Sequence, residues 1–280
     1  AELRAYARER GVHLIGDMPI FVAHDTSEDW THPEWFDLDD GGCPRVIAGV
    51  PPDYFSSTGQ RWGNPLYHWS RLAEDGYRFW IERVRRILEM VDLVRIDHFR
   101  GFAAYWEIPA SEETAIHGRW VPGPGMDLFA ALRAALGDDL PLIAEDLGVI
   151  TEDVEALRDG LKLPGMAILQ FGFEDLEDGF GRSAFLPHNH RQRLAVYTGT
   201  HDNNTLLGWW AAREAGLRRQ ICAYLNSDGS EIHWDFIRAA LGSSASMALF
   251  PMQDVLGLGA DACMNRPGTE EGNWVWRYRE

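Results

Sequence analysis

The chain has 280 residues, 45% hydrophobic and 25% charged, a soluble balance that suits one large α/β barrel or two smaller domains. Twenty-six basic against 43 acidic residues leave a formal charge of −17, which repels nucleic-acid phosphates and anionic lipid and excludes both as expected partners. A neutral ligand, such as a sugar, fits that charge. Short apolar runs bounded by turn signals begin at Val12–Ile15 and return at Leu93–Ile96, Leu140–Ala144, Met166–Leu169, Leu194–Tyr197 and Met247–Phe250. Runs of this kind predict buried parallel strands. Between the first two, Trp80, Val84, Ile87, Leu88 and Val91 follow helical spacing. After the second, Leu128, Phe129, Leu132, Ala135 and Leu136 do the same, with Gly137 placed to end that helix.

Alternating strands and helices imply a parallel sheet. Three of the runs lead into carboxylates, at Asp97, Glu145 and Asp202. Acids at the C-terminal ends of several strands favour a (β/α)8 barrel of the TIM type over an open sheet. No glycine-rich phosphate loop follows the first run, which weighs against a dinucleotide-binding sheet. Six strands are two short of closure, and Ala1 opens the chain in what reads as the tail of a helix. The expectation is one catalytic barrel domain over residues 1–280, incomplete, with N-terminal strands missing. Cys43, Cys222 and Cys263 are odd in number and scattered, the pattern of reduced thiols in a cytoplasmic protein. No apolar run approaches a membrane span. The 12 tryptophans suit either a Trp-rich core or platforms for sugar rings, and composition leaves both open.

In Leu93-Val94-Arg95-Ile96-Asp97-His98, strand alternation turns Arg95 and Asp97 to one face and Val94 and Ile96 to the other. An arginine beside a carboxylate keeps it ionised, as a nucleophile requires, although a structural ion pair is the competing reading. In Leu142-Ile143-Ala144-Glu145-Asp146, Ile143 and Glu145 share a face. A carboxyl between apolar walls has a raised proton affinity and can act as donor. Asp146, pointing away, is expected to cap the next helix. Asp202, in Thr200-His201-Asp202-Asn203, has the competing role of N-cap for the helix that carries Trp209 and Trp210. Cleavage of an acetal needs an acid to protonate the leaving oxygen and a carboxylate at the anomeric carbon. A third acid can grip hydroxyls, and His98 and His201 can bond to them.

Several motifs resemble the amylomaltases, or 4-α-glucanotransferases, relatives of the α-amylases. They are Gly16-Asp17-Met18-Pro19-Ile20-Phe21-Val22, Gly49-Val50-Pro51-Pro52-Asp53-Tyr54-Phe55-Ser56, and Gly59-Gln60-Arg61-Trp62-Gly63-Asn64-Pro65-Leu66-Tyr67. The resemblance continues through Val94-Arg95-Ile96-Asp97-His98-Phe99-Arg100-Gly101, Ala144-Glu145-Asp146-Leu147-Gly148, Tyr197-Thr198-Gly199-Thr200-His201-Asp202-Asn203 and Gly272-Asn273-Trp274. It implies Asp97 as nucleophile, Glu145 as general acid/base and Asp202 as the stabiliser that grips and distorts the sugar. It implies Arg95, His98 and His201 as donors around that sugar. Asp53, Tyr54 and Phe55 match a loop over the cleft, Gln60, Trp62 and Phe171 match glucan contacts, and Asn265 joins them. Asp17 falls in the barrel floor, with a structural role.

The implied reaction is retaining transfer of α-1,4-glucan segments between maltooligosaccharides, with no cofactor and no metal. An α-glucan hydrolase with the same acids is the nearest rival, and a glucan-binding remnant a second. A loop such as 51–59 that excludes water favours transfer over hydrolysis. A metal enzyme would have to use His188 and His190 or the acidic run 174–178, and neither has convincing ligand spacing.

Overall fold

The computed structural model describes residues 2–52, 56–174, 181–269 and 271–279. The chain divides into two compact units, Ala1–Leu163 and Pro164–Glu280. The first contains seven strands: β1 (Ile15–Pro19), β2 (Val46–Val50), β3 (Gln60–Pro65), β4 (Leu93–Asp97), β5 (Ala104–Pro109), β6 (Arg119–Pro122) and β7 (Leu142–Ala144). The second contains β8 (Gly165–Ile168), β9 (Leu194–Tyr197) and β10 (Met247–Leu249). All six apolar runs lie at strands, although the first is displaced: β1 starts only at Ile15, where Val12–Ile15 was expected to end it.

In the first unit β1, β4 and β7 form a parallel sheet in the order β1-β4-β7. Val94, Ile96, Leu142, Ile143 and Ala144 are almost fully buried, which explains their continuous apolar runs. The helix Arg78–Met90 turns Phe79, Trp80 and Val84 into the core. Gly125–Leu136 does the same with Leu128, Phe129 and Leu132. Trp80 and Phe129 each pack edge-on against Phe102 at 5.2 Å between ring centroids. Gly137 ends the second helix with φ +108, a conformation that a residue with a Cβ rarely adopts.

A second sheet in this unit, ordered β3-β2-β5-β6, is antiparallel throughout and was not expected from the sequence. Its pairing shifts between Ile47 and Gly49. A Cβ on Gly49 would lie 2.2 Å from the Gln60 carbonyl oxygen, so only glycine lets β3 approach there.

The second unit is built on a parallel sheet ordered β10-β9-β8. Its core packs Phe173, Leu186, Val196, Leu206, Trp209 and Phe236. The two parallel sheets make the fold α/β, and neither three-stranded sheet closes on itself. The tryptophans divide between core and surface: Trp80 and Trp209 are core residues, whereas Trp30, Trp62, Trp120 and Trp274 are exposed. Among the described residues, no helix is long and apolar enough to cross a membrane.

Candidate active site

The parallel register pairs Asp17 with Arg95 across β1 and β4. Arg95 Nη1 donates to both Asp17 carboxylate oxygens, at 2.7 and 2.9 Å, and Nη2 donates to Asp97 Oδ1 at 2.7 Å. One guanidinium therefore fixes both carboxylates, in the fork geometry that arginine offers. Burial alone lowers the Arg95 proton affinity, but Asp97, Asp17 and Glu145 outweigh it and hold the guanidinium above its ordinary value. Asp17 and Asp97 stay about half-exposed while Arg95 is sunk between them.

Glu145 stands beside Asp97. The last register pair of β4 and β7 is Ile96 with Ala144, and Asp97 and Glu145 are the next residues on each strand. The Glu145 amide donates to the Ile96 carbonyl at 3.0 Å, and the Phe99 amide donates to the Glu145 carbonyl at 3.1 Å. Its carboxylate accepts from the His98 amide at 2.7 Å and from the Leu147 amide at 2.9 Å. Burial, with the Asp97 charge adding to it, pushes the Glu145 carboxyl up to about 7, against the opposing pull of Arg95 and the two amides. A carboxyl poised there holds a proton near neutrality and can both give and take one.

His98, which supplies its amide to Glu145, adopts φ +52. The ring is buried, and burial, with Arg100 adding to it, pushes its proton affinity down to about 3, so the imidazole is neutral. Its Nε2 has no hydrogen-bond partner among the described residues. A buried polar atom left in that state costs roughly 1–3 kcal/mol, which a ligand hydroxyl would relieve. Trp62 meets the same ring edge-on at 4.7 Å, and its Nε1 donates to Gln60 Oε1 at 3.0 Å. Gln60 and Trp62 on β3 are thus joined to the Glu145 strand end through His98.

In the second unit, His201 Nε2 lies 3.3 Å from Asp202 Oδ2. Asn265 Nδ2 donates to Asp202 Oδ1 at 2.6 Å, and the Asn265 amide donates to the His201 carbonyl at 3.0 Å. The resemblance-based set His201, Asp202 and Asn265 is therefore a contiguous cluster. Trp274, which sequence reasoning did not assign to the site, adds its ring 5.1 Å from His201. Asp202 does not cap the following helix. Thr205 does so, with its hydroxyl accepting from the Gly208 amide at 3.1 Å. Phe171 lies just after β8 and packs edge-on against Phe185 at 5.7 Å.

Asp146 does not cap the next helix either. The N-cap position of Glu152–Gly160 belongs to Thr151, and Asp146 forms a buried ion pair with Arg158 at 2.5 Å. The signal was present in principle, since Arg158 is a charged residue on the apolar side of that helix. Asp53, Tyr54 and Phe55, the middle of the loop expected to cover the cleft, lie outside the described residues. Ser56 and Gly59 close a turn, and the Thr58 carbonyl accepts from the Ala115 amide at 3.0 Å. His188 Nδ1 bonds the Tyr224 hydroxyl at 2.7 Å and His190 Nε2 bonds the Phe185 carbonyl at 3.0 Å. Glu174 accepts from Trp209 Nε1 at 3.0 Å, and residues 175–178 of the acidic run lie outside the described residues.

Comparison with known proteins gives the family of the chain. A protein family described as 4-alpha-glucanotransferase matches residues 1–280. The 4-alpha-glucanotransferase of Thermus thermophilus is 53% identical over 98% of this chain and 56% of its own length. The chloroplastic/amyloplastic 4-alpha-glucanotransferase of Solanum tuberosum is 48% identical over 99% of this chain and 47% of its own. The structure of amylomaltase from Streptococcus agalactiae in complex with acarbose superposes with a TM-score of 0.95 at 43% identity, covering 100% of this chain and 56% of that one. Amylomaltase from Corynebacterium glutamicum, at 19% identity and a TM-score of 0.80, shares the fold. The chain spans about half the length of the curated relatives it matches. A match along the whole chain, at identities near one half, makes this chain a member of the 4-α-glucanotransferase family.

Proposed function

We propose that the intact protein is a 4-α-glucanotransferase that moves α-1,4-glucan segments between maltooligosaccharides by retaining double displacement. The observation that carries this reading is the pair at the ends of β4 and β7: Asp97 ion-paired to Arg95, and Glu145 with its carboxyl pushed up to about 7. Neighbouring strands lie about 4.8 Å apart. Residues one step past an in-register pair therefore suit the roughly 5–5.5 Å carboxyl separation of retaining enzymes better than the roughly 6.5–9.5 Å of inverting ones.

In the first step Glu145 gives its proton to the glycosidic oxygen while Asp97 forms a bond to the anomeric carbon. The leaving glucan departs with a new hydroxyl. In the second, Glu145 takes the proton of an incoming sugar 4-hydroxyl as that oxygen displaces Asp97. One glycosidic bond is broken and one made. The family resemblance gives Asp202, with His201 and Asn265, the role of gripping a sugar, and His98 Nε2, without a partner among the described residues, suits a bond to a sugar hydroxyl. The acarbose complex of the S. agalactiae amylomaltase supports a glucan-like ligand.

A (β/α)8 barrel is the finer form of the α/β fold, supported by the two parallel sheets and by acids at their strand ends. The scattered cysteines support a cytoplasmic setting. The test is maltotriose incubated with the intact protein. Transfer yields glucose together with longer oligomers while total reducing ends stay constant. Reducing ends that climb, without longer oligomers, mean a hydrolase, and no change at all means a binding protein.

A further inference from the structure

The segment 198–206 carries His201 and Asp202 from the end of β9 to the helix Leu206–Ala211. A group that grips a reacting sugar has to be held within about 0.5 Å of its productive position. A loop does not provide that by itself, so the means of its fixation is informative.

Asp254, in the short helix Met252–Val255 after β10, is the most deeply buried acid among the described residues, at 1% exposure. The other buried acids each face a basic side chain. Asp92 meets Arg4 and Arg8, Glu107 meets Arg119, Asp146 meets Arg158, and Asp29 meets His24. Asp254 meets none within ion-pair distance. Its Oδ1 accepts from the Leu206 amide at 2.7 Å, and its Oδ2 accepts from the Thr198 hydroxyl at 2.6 Å. One carboxylate thus bridges the first and last residues of the segment. Thr198 is fully buried, so neither bond competes with solvent.

Burial pushes the Asp254 carboxyl up, with the Leu206 amide, the Thr198 hydroxyl and the nearby His233 opposing it, and packing alone would be served better by an apolar residue. The interior of the segment is fixed as well. Asn203 Oδ1 accepts from the Thr200 amide at 2.8 Å and from its hydroxyl at 2.9 Å. Buried Gln170 donates to the Asn204 carbonyl at 3.0 Å. With both ends bridged, Asp202 is left to project from a rigid frame.

We propose that Asp254 is a positioning residue for Asp202, acting by bridging Thr198 and Leu206 and without touching the sugar. The inference rests on the reading of Asp202 as the group that grips the sugar. The test uses the intact protein in three variants. Thr198→Val removes one bond at matched shape, and Asp254→Ala removes both. Asp254→Asn retains both, since its carbonyl can accept from Leu206 and its amide can donate to the rotated Thr198 hydroxyl.

A misplacement near 1 Å costs about 10²-fold in rate. The expected loss in kcat/KM for maltotriose is therefore about 10²-fold for Asp254→Ala and about 10-fold for Thr198→Val. Asp254→Asn should restore most of it. Rates are measured well below each variant's melting temperature, and acarbose binding is followed by calorimetry. In an Asp202→Asn background, assayed with α-maltosyl fluoride, Thr198→Val should have almost no further effect. Variants that melt earlier yet keep wild-type kcat/KM would overturn the proposal, as would an undiminished Thr198→Val effect in the Asp202→Asn background. If Asp254→Ala fails to fold, the Thr198→Val result decides alone. A wild-type protein that neither transfers nor binds acarbose overturns the functional reading and this proposal together.

Discussion

Asp97 and Glu145 end neighbouring strands at the same level, yet they meet different surroundings. Asp97 stays about half-exposed and ion-paired with Arg95. The Glu145 carboxyl is pushed up to about 7 by burial and by the Asp97 charge itself. The difference shows how one parallel sheet can give two carboxyl groups different proton affinities. The two positions share Arg95 unequally: on β4 beside Asp97, it bonds that carboxylate directly, whereas at Glu145 its pull is outweighed by burial and the Asp97 charge. Where environments of paired acids diverge in this way, the acid and the nucleophile are assigned by those environments.

The largest expected effects separate the two roles. In the intact protein, Glu145→Gln should lower transfer from maltotriose by about 10²–10⁴-fold, and Asp97→Asn should abolish it. With α-maltosyl fluoride, whose leaving group needs no proton, Glu145→Gln should recover a rapid first burst of fluoride and Asp97→Asn should not. Equal rescue of both variants would erase the distinction.

Asp146 tests the neighbouring position. Its buried pair with Arg158 fixes the loop just after Glu145. Arg158→Met leaves that acid buried without its cation and should cost about 3–5 kcal/mol in a denaturation curve. A cost below about 1 kcal/mol, the range of an exposed pair, would show that the pair contributes little.

The Glu145 environment also leaves a trace in stability. Its folded-state value is raised from 4.5 to about 7, so the folded protein binds this proton more tightly than the unfolded chain does. Stability is therefore fully present below about pH 4.5 and is lost as pH rises to about 7. Each unit is worth about 1.4 kcal/mol, giving a loss of about 3 kcal/mol. Gln cannot ionise, so Glu145→Gln should gain on the wild type by about that amount between pH 4 and pH 8 in paired melts. A pH-independent difference would contradict the raised value.

The smallest effect concerns the Asp202 segment. Thr205→Ala removes the N-cap bond to Gly208 and should cost about 1 kcal/mol. Asp202→Ala should leave the helix Leu206–Ala211 as stable as before, because that acid does not cap it. A larger stability loss for Asp202 than for Thr205 would reverse the two roles.

The parallel strands were legible because burial on both faces writes a continuous apolar run, as in Leu142-Ile143-Ala144. The antiparallel sheet was not, because Gln60-Arg61-Trp62 on β3 and Arg119-Trp120 on β6 are exposed polar and aromatic residues, and the apolar run Val46-Ile47-Ala48 of β2 has no such run in its antiparallel partner β3. The candidate acids Asp97 and Glu145 were picked out by strand alternation together with family resemblance. Asp146 was misjudged because capping is a local rule, whereas its partner Arg158 lies a full helix away at a buried position. Asp254 left no local signal at all. Its bonds reach Thr198 and Leu206, 56 and 48 positions earlier, and only the folded chain brings them together.

The division of labour between Asp97 and Glu145 is tested most directly by trapping the intermediate. Glu145→Gln in the intact protein should react with α-maltosyl fluoride and then stall, because no base remains to activate the acceptor hydroxyl. Peptide mass mapping of the stalled enzyme should find one maltosyl group esterified to Asp97. A maltosyl group on another carboxylate, or fluoride release with β-configured maltose and no adduct, would contradict the account.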